Sequence, residues 1–323
     1  MIGRGGTVGR ALAATRQRRR LRAGRLSWVI KISAPADESA ARWGDTAFAE
    51  DLAVALRALG QHVRIDFLGS APGTPGDVVL VLRGLHRIDA APGALNYLWI
   101  ISHPDAVTDE ELSGGWDRVF AASRTWPRGA AAGAIPLLQA ASTTRFSPGP
   151  GDPAAAEDVL FVGTSRGVVR PVVRDAIAAG APLAIYGHDW EDYVEPRFVR
   201  ADHLAFARVP TAYRSARIVL NDHWEDMRRN GFISNRLFDA TFVGARVISD
   251  SFEGREELFG GLVRTYADVS ELRSLLTDEG CWPSEAERHR LAAAIRQQHS
   301  FDARAATLLD YALRDTGAAR PTR

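Results

Sequence analysis

A chain of 323 residues is long enough for two domains with separate cores, and 46% hydrophobic against 24% charged residues is the balance of an ordinary globular protein. The formal net charge of +1 excludes nucleic-acid binding driven by the overall field of the molecule. A lone cysteine, Cys281, excludes an intrachain disulfide and fits a reducing cytoplasm, and no apolar run is long enough for a membrane span.

The chain opens on a basic stretch in which Arg4, Arg10, Arg16, Arg18, Arg19, Arg20, Arg22 and Arg25 precede the first acidic residue, Asp37. It lacks the continuous apolar segment of a secretory signal. Residues 1–26 read as a disordered extension on a cytoplasmic protein; the sharper alternative is a weak electrostatic contact with anionic lipid, which makes the protein membrane-peripheral. Lys31 is the only lysine, so nearly every cation is an arginine, a bias that accompanies abundant alanine in GC-rich coding sequence.

Order is expected to begin at "LSWVIKIS" (residues 26–33), a β-rich run. The helix that follows puts Phe48, Leu52, Leu56 and Leu59 on one face, with Asp45 as its N-cap and Gly60 as its end. "HVRIDF", "DVVLVL" and "LNYLWIIS" read as strands, and "RVFAAS" and "AIPLLQ" as short runs that complete a parallel sheet. The Pro- and Gly-rich stretch around residues 148–157 reads as a linker. Strand and helix then alternate again: "DVLFVG", the helix "RPVVRDAIAAG" closed by Gly180, "PLAIYG", the turn "TAYRSA", "RIVLN" and "ARVISD". Residues 284–315 are helical, interrupted near "HSFDAR". The expected fold class is α/β, with two Rossmann-like parallel-sheet domains over 27–147 and 158–300 and a C-terminal helix and tail over 301–323.

Two such domains place strand ends and loops on either side of a cleft, where open α/β sheets bind ligands. The loop "FVGTSRG" offers Gly163, Thr164, Ser165 and Arg166 between a strand and a helix; its backbone N–H groups, with Arg166 or Arg170, suit a phosphate. The stretch "NGFISNRLFDATFVGARVISD" brings Ser234, Asn235, Arg236 and Asp239 together beside strongly apolar residues. Arg236 and Asp239 share a helix face, so they form either a surface ion pair or a partly buried pair completed by a ligand, a diphosphate for the arginine and a ribose for the aspartate. His103, in "WIISHPD", ends a strand and is a candidate for touching substrate. "YGHDWED" and "NDHWEDM" lack metal-ligand spacing, so no metal site is expected, and Trp190 and Trp224 read mainly as packing residues. There is no G-x-S-x-G elbow.

The second half resembles the C-terminal domain of group 1 (family 4-like) GT-B glycosyltransferases, in particular the spore-maturation, CgeB-like branch. Four pieces carry the likeness: "VLFVGTSRG", "LAIYGHDW", "YRSARIVLNDHWEDMRRNGFISNRLFDATFVGARVISD" and "FEGREELFG". "WGDTAFAEDLAVALRALGQHV", "WIISHPD" and "IPLLQAASTTRFSP" are similar, more loosely, to parts of the partner domain. The resemblance implies a GT-B fold whose last helix, around Tyr311, crosses back to the first domain. It implies a hexosyltransferase-like, metal-independent, retaining enzyme that uses a nucleotide-sugar co-substrate, no other cofactor and an acceptor of unspecified kind (glycan, lipid-linked, small molecule or protein).

In that scheme residues 163–166 and Arg236 face the diphosphate, Ser234 and Asn235 offer N–H groups at the helix start, Asp239 takes the ribose, and His103 lies near the transferred sugar. Where many relatives carry two glutamates eight positions apart, this chain has Gly231 and Asp239. The alternatives are a non-catalytic GT-B-like protein that binds a sugar nucleotide or a partner, and a nucleotide-sugar epimerase, which calls for stronger acid/base groups than these motifs offer.

Overall fold

In the computed structural model the described residues are 24–70, 73 and 76–318, apart from the side chains of Ala41 and Arg42. Residues 1–23 lie outside them, and with them most of the proposed basic extension and its lipid contact. Gly24 and Leu26 already belong to the folded chain: the Gln61 side chain donates to the Gly24 carbonyl and accepts from the Leu26 amide.

The described chain forms two compact units. One holds the residues up to Ala122 with Pro127–Leu137 and the segment from Phe301 onward; the other holds Ser123–Trp126 and Leu138–Ser300. The Pro- and Gly-rich stretch lies within the second unit, where Asp152 donates its amide to Ser215.

The first unit is built on strands β1 (Ser27–Pro35), β2 (His62–Leu68), β3 (Val78–Arg83), β4 (Leu95–Ile100), β5 (Arg118–Ala121) and β6 (Ile135–Pro136), all parallel, in the order β2-β1-β3-β4-β5-β6. Every residue of β3 is buried, which is why "VVLVLR" reads as a continuous apolar run instead of an alternating one. Helix α1 (Gly44–Ala58) presents Phe48, Leu52 and Leu56 to the sheet. It ends in a Schellman turn: Gly60, at φ +78°, donates to Arg57, and Gln61 donates to Leu56.

Its start differs from the sequence expectation. The N-cap is Trp43, not Asp45, and Asp45 stands inside the first turn. The long helix Phe301–Thr316 closes the unit. Phe301 meets Phe48 edge-on at 4.7 Å, and Asp315 receives bonds from Tyr97 at 2.6 Å and from both arms of Arg118 at 2.5 Å.

The second unit carries β7 (Val159–Val162), β8 (Leu183–Tyr186), β9 (Val199–Ala201), β10 (Ile218–Asn221), β11 (Val247–Ser249) and β12 (Val263–Thr265), parallel, in the order β12-β11-β10-β7-β8-β9. This is the doubly wound order that reverses between its first and fourth strands, and the reversal lies between β7 and β10. The edge strands β9 and β12, three residues each, were not expected. Helices α2 (Pro171–Ala178), α3 (Val209–Ser215) and α4 (Asn235–Phe242) cover the sheet. In α4, Leu237, Phe238, Ala240 and Phe242 are buried in one cluster with Leu160, Val219 and Val247 of the strands. That packing fixes where the start of α4 must lie.

Candidate functional site

The site forms at the C-terminal ends of β7, β10 and β11, at the switch point of the second sheet. The loop after β7 is held tightly. Gly163 donates its amide to Tyr186 and receives the Trp190 indole N–H on its carbonyl at 2.9 Å; Ser165 donates its amide to His188. Two of the loop's amides are therefore engaged inside the protein, and the positive character of this corner rests on guanidinium groups. Arg166 adopts the left-handed region at φ +66°, an uncommon conformation for a residue with a side chain and one that clusters at functional sites.

Three arginines converge here. Arg236, in the first turn of α4, donates to the Val162 carbonyl at 2.7 Å and to Asn221 Oδ1 at 3.0 Å, and its guanidinium lies 4.9 Å from the centre of the Phe161 ring. Arg170 lies over the same ring at 4.6 Å, donates to the Thr164 carbonyl at 3.2 Å and forms a buried ion pair with Asp222. Arg166 rests on the Trp224 ring at 4.0 Å.

Burial first, and then the neighbouring Arg236, push the Arg166 guanidinium down to about 9; burial, Arg236 and Arg166 push Arg170 well below its usual range. Like charges brought together out of water are disfavoured until an anion joins them. Gly163, at φ +155°, is part of the construction: a Cβ there would stand 2.9 Å from Arg236 Nη2 and 3.2 Å from Arg170 Nη1.

Ser234 is the N-cap of α4 and makes no side-chain cap bond. Arg236 is half-buried and Asp239 buried, so the two do not form a pair on a solvated surface. Asp239, 9% exposed, accepts from Asn235 Nδ2 at 3.1 Å, while Arg236 turns to Asn221 and Val162. Among the described residues Asn235 Oδ1 is buried without a hydrogen-bond partner. The buried Tyr213 hydroxyl lies beside Arg236 and Asp239 and is pushed up to about 12 by burial.

Gly231, the position of the missing first glutamate, has φ +69°, and the space a Cβ would need is taken by Thr125 Oγ1. The segment carrying Thr125 is fixed there by Ser123, which donates to the Asn230 carbonyl at 2.7 Å and bridges to Phe232.

His103 belongs to the first unit. It follows β4 in the left-handed region, φ 51° and ψ 53°, as the cap of the turn Pro104–Ala106. Its backbone strain is the kind that accompanies functional positions.

Sequence reasoning passed over several residues of the second-unit site. Asn221 ends β10, and Asp222 and His223 follow, His223 with its Nδ1 on Asp250 at 2.7 Å. Burial favours the neutral form of the Asp250 carboxyl, but hydrogen bonds from His223 and Ser249 outweigh it and hold the group below the usual carboxylate range. Trp190 is buried in the core, as expected, while Trp224 is half-buried and serves as the seat of Arg166. The signal was present: "RIVLN" and "RVISD" are adjacent strands in register, Asn221 opposite Ser249, and both run directly into acidic residues.

Residues 166–310 match the family described as Glycosyl transferase-like. AviGT4, a glycosyltransferase involved in avilamycin A biosynthesis, is 18% identical over 91% of this chain and 99% of its own, with a TM-score of 0.57. Sucrose-phosphate synthase from Thermosynechococcus elongatus is 13% identical over 91% and 100%, TM-score 0.60. T4 phage BGT, solved with UDP and Mn2+, is 12% identical over 89% and 99%, TM-score 0.58. No curated protein matches the sequence. The chain thus has the GT-B fold of glycosyltransferases, two six-stranded parallel sheets with flanking helices, and its second half carries the glycosyl transferase-like pattern. Among the described residues no helix is long and apolar enough to cross a membrane.

Proposed function

We propose that this protein is a hexosyltransferase-like glycosyltransferase that moves a sugar from a nucleotide-sugar donor to a hydroxyl-bearing acceptor. The observation that carries the reading is Arg236 held by the Val162 carbonyl and Asn221 at the switch point of the second sheet, beside Arg166 and Arg170. Arg236 and Arg166, with Arg170 beside them already paired to Asp222, suit a diphosphate. The family match over residues 166–310 and the solved glycosyltransferases with UDP and UDP-glucose support the same ligand class. Within that class we favour the CgeB-like branch, on the stretch from Tyr213 through Asp250.

As the anomeric C–O bond breaks, negative charge builds on the β-phosphate, and donors already fixed in place stabilise it without reorganising. Arg236 has that role, and Arg166 joins it by leaving the Trp224 ring. The guanidinium groups supply the neutralising charge without a metal. Asp239, steadied by Asn235, receives the ribose hydroxyls, with Ser234 at the helix start; Gly163, Thr164 and Ser165 shape the phosphate loop. His103 is assigned to the transferred sugar.

The test is thermal melting with a panel of UDP-, GDP- and dTDP-sugars, followed by assay of nucleoside diphosphate release from any that stabilise the protein. Stabilisation with release supports a transferase. Stabilisation without release supports a binding protein, the reading that Thr125 in the place of a glutamate side chain would favour.

A further inference from the structure

The second unit holds a pocket that the diphosphate contacts leave free. Its volume is about 100 Å³, and every residue that lines it belongs to that unit. Leu138, Ile233 and Leu258, all buried, give it an apolar floor, and the exposed Thr125, Glu253 and Glu257 stand at its rim. The walls are held in place. Trp126, next to Thr125, meets Phe232 edge-on at 5.6 Å. Phe252 packs on His223, ring centres 5.1 Å apart, and on Phe259 at 6.2 Å, and Gly254, at φ +78°, turns the chain into the short helix Arg255–Phe259. Glu253 therefore springs from a fixed turn. Its neighbouring charges are already matched: Arg124 pairs with Glu257 at 2.6 Å, and Arg255 with Glu256 at 2.7 Å. Among the described residues no hydrogen bond or ion pair engages the Glu253 carboxylate. One uncompensated negative charge thus stands over an apolar floor.

Gly231 and Ile233 line the pocket and precede Ser234, the N-cap of α4, so the pocket adjoins the helix start that carries Arg236. In a nucleotide sugar the group beyond the β-phosphate is the sugar. We propose that this pocket reads the donor's sugar and that Glu253 sets its class: a hexose that turns hydroxyls to the pocket, and not a hexuronate. This rests on the transferase reading. A C–H face of the sugar ring covers the apolar floor, and the carboxylate, which only accepts, takes hydrogen bonds from the hydroxyls. A sugar carboxylate offers no proton at neutral pH and brings a second negative charge up to the first. Selectivity of this kind lies as much in what the rejected ligand loses as in what the favoured one gains.

The experiment measures affinity by titration calorimetry for donors offered in pairs that share a base: UDP-glucose with UDP-glucuronate, GDP-mannose with GDP-mannuronate, and dTDP-glucose with dTDP-glucuronate. At low ionic strength the wild type should bind the hexose about tenfold or more tighter than the hexuronate. Glu253→Gln keeps the shape and loses the charge, and should bring the two within about threefold. Glu253→Lys should invert the order. Neither variant should change affinity for the bare nucleoside diphosphate. Salt gives a second readout. Repulsion at an exposed rim is screened as the Debye length falls from about 30 Å at about 0.01 M salt to about 3 Å at about 1 M, so the wild-type preference should shrink over that range. A preference of steric origin would not respond.

Equal affinity for hexose and hexuronate in the wild type overturns the proposal. A preference that Glu253→Lys leaves as it was overturns it too, and so do variants that lose affinity for the bare diphosphate, because Glu253 is then structural. In each of these cases diphosphate binding by the wild type leaves the transferase reading standing. A wild type that binds neither a nucleoside diphosphate nor any of the donors overturns the transferase reading, and this inference with it.

Discussion

Asn221 and Arg236 are joined by a hydrogen bond of 3.0 Å from Nη1 to Oδ1, between the last residue of β10 and the first turn of α4. Asn221 is itself fixed, its Nδ2 donating to Ser249 at 2.9 Å. The amide therefore aims the guanidinium. Asn221→Ala removes a hydrogen bond to a charged group, worth about 1.5–3 kcal/mol, and frees Arg236 to other rotamers. Affinity for the nucleoside diphosphate should fall by about tenfold or more at unchanged stoichiometry, measured by titration calorimetry.

Gly163→Ala tests the same aim from the other side. The added methyl would crowd the ends of Arg236 and Arg170, and the backbone angle there is one that alanine rarely adopts. The flexible guanidinium yields before the sheet does. Diphosphate affinity should drop about tenfold while the melting temperature shifts by only a few degrees, as a strain cost of about 1–2 kcal/mol implies.

Arg170 and Asp222 separate stability from binding. Arg170→Met leaves Asp222 buried and unpaired and should cost about 3–5 kcal/mol in urea unfolding. Arg170→Met combined with Asp222→Leu should recover most of that, because an apolar pair can replace a buried ion pair. Diphosphate affinity should stay low in both variants, since the Thr164 carbonyl loses its donor in each.

The alternation of short β-rich runs with Gly-closed helices made both sheets legible, down to the Gly60 and Gly180 stops. Two features escaped. Strands β9 and β12 are three residues long and sit at sheet edges, too short for any periodicity to register. Asp45 stands inside the first turn and not at its cap, because a cap depends on where the first turn closes, and Trp43 closes it. In the donor region Arg236 and Asp239 stood out because charges interrupt an apolar helix. Asn221, which accepts from Arg236, comes from a neighbouring strand end that local sequence does not reveal, and Asn235, which donates to Asp239, lies one turn away on the same helix. Thr125 beside Gly231 lies more than a hundred residues from it in sequence, and nothing local announces it.

Acid should release the closing helix of the first unit. The Asp315 carboxyl is held below its usual range by bonds from Arg118, and further by the Tyr97 hydroxyl, against the opposing effect of burial. A depressed folded pKa gives stability that is present above the unfolded value, near 3.8, and is lost as pH falls through the folded one. Asp315→Asn should therefore cost about 2 kcal/mol at neutral pH, with the gap to wild type closing below about pH 3, measured by urea midpoints at each pH.

Arg236 is the group proposed to receive the leaving diphosphate. Its direct test is release of nucleoside diphosphate by Arg236→Ala from the nucleotide sugar that the wild type turns over, with circular dichroism to confirm the fold. Release should fall by about 100-fold or more, the size of losing one preorganised donor to a developing charge. Release at the wild-type rate would contradict it.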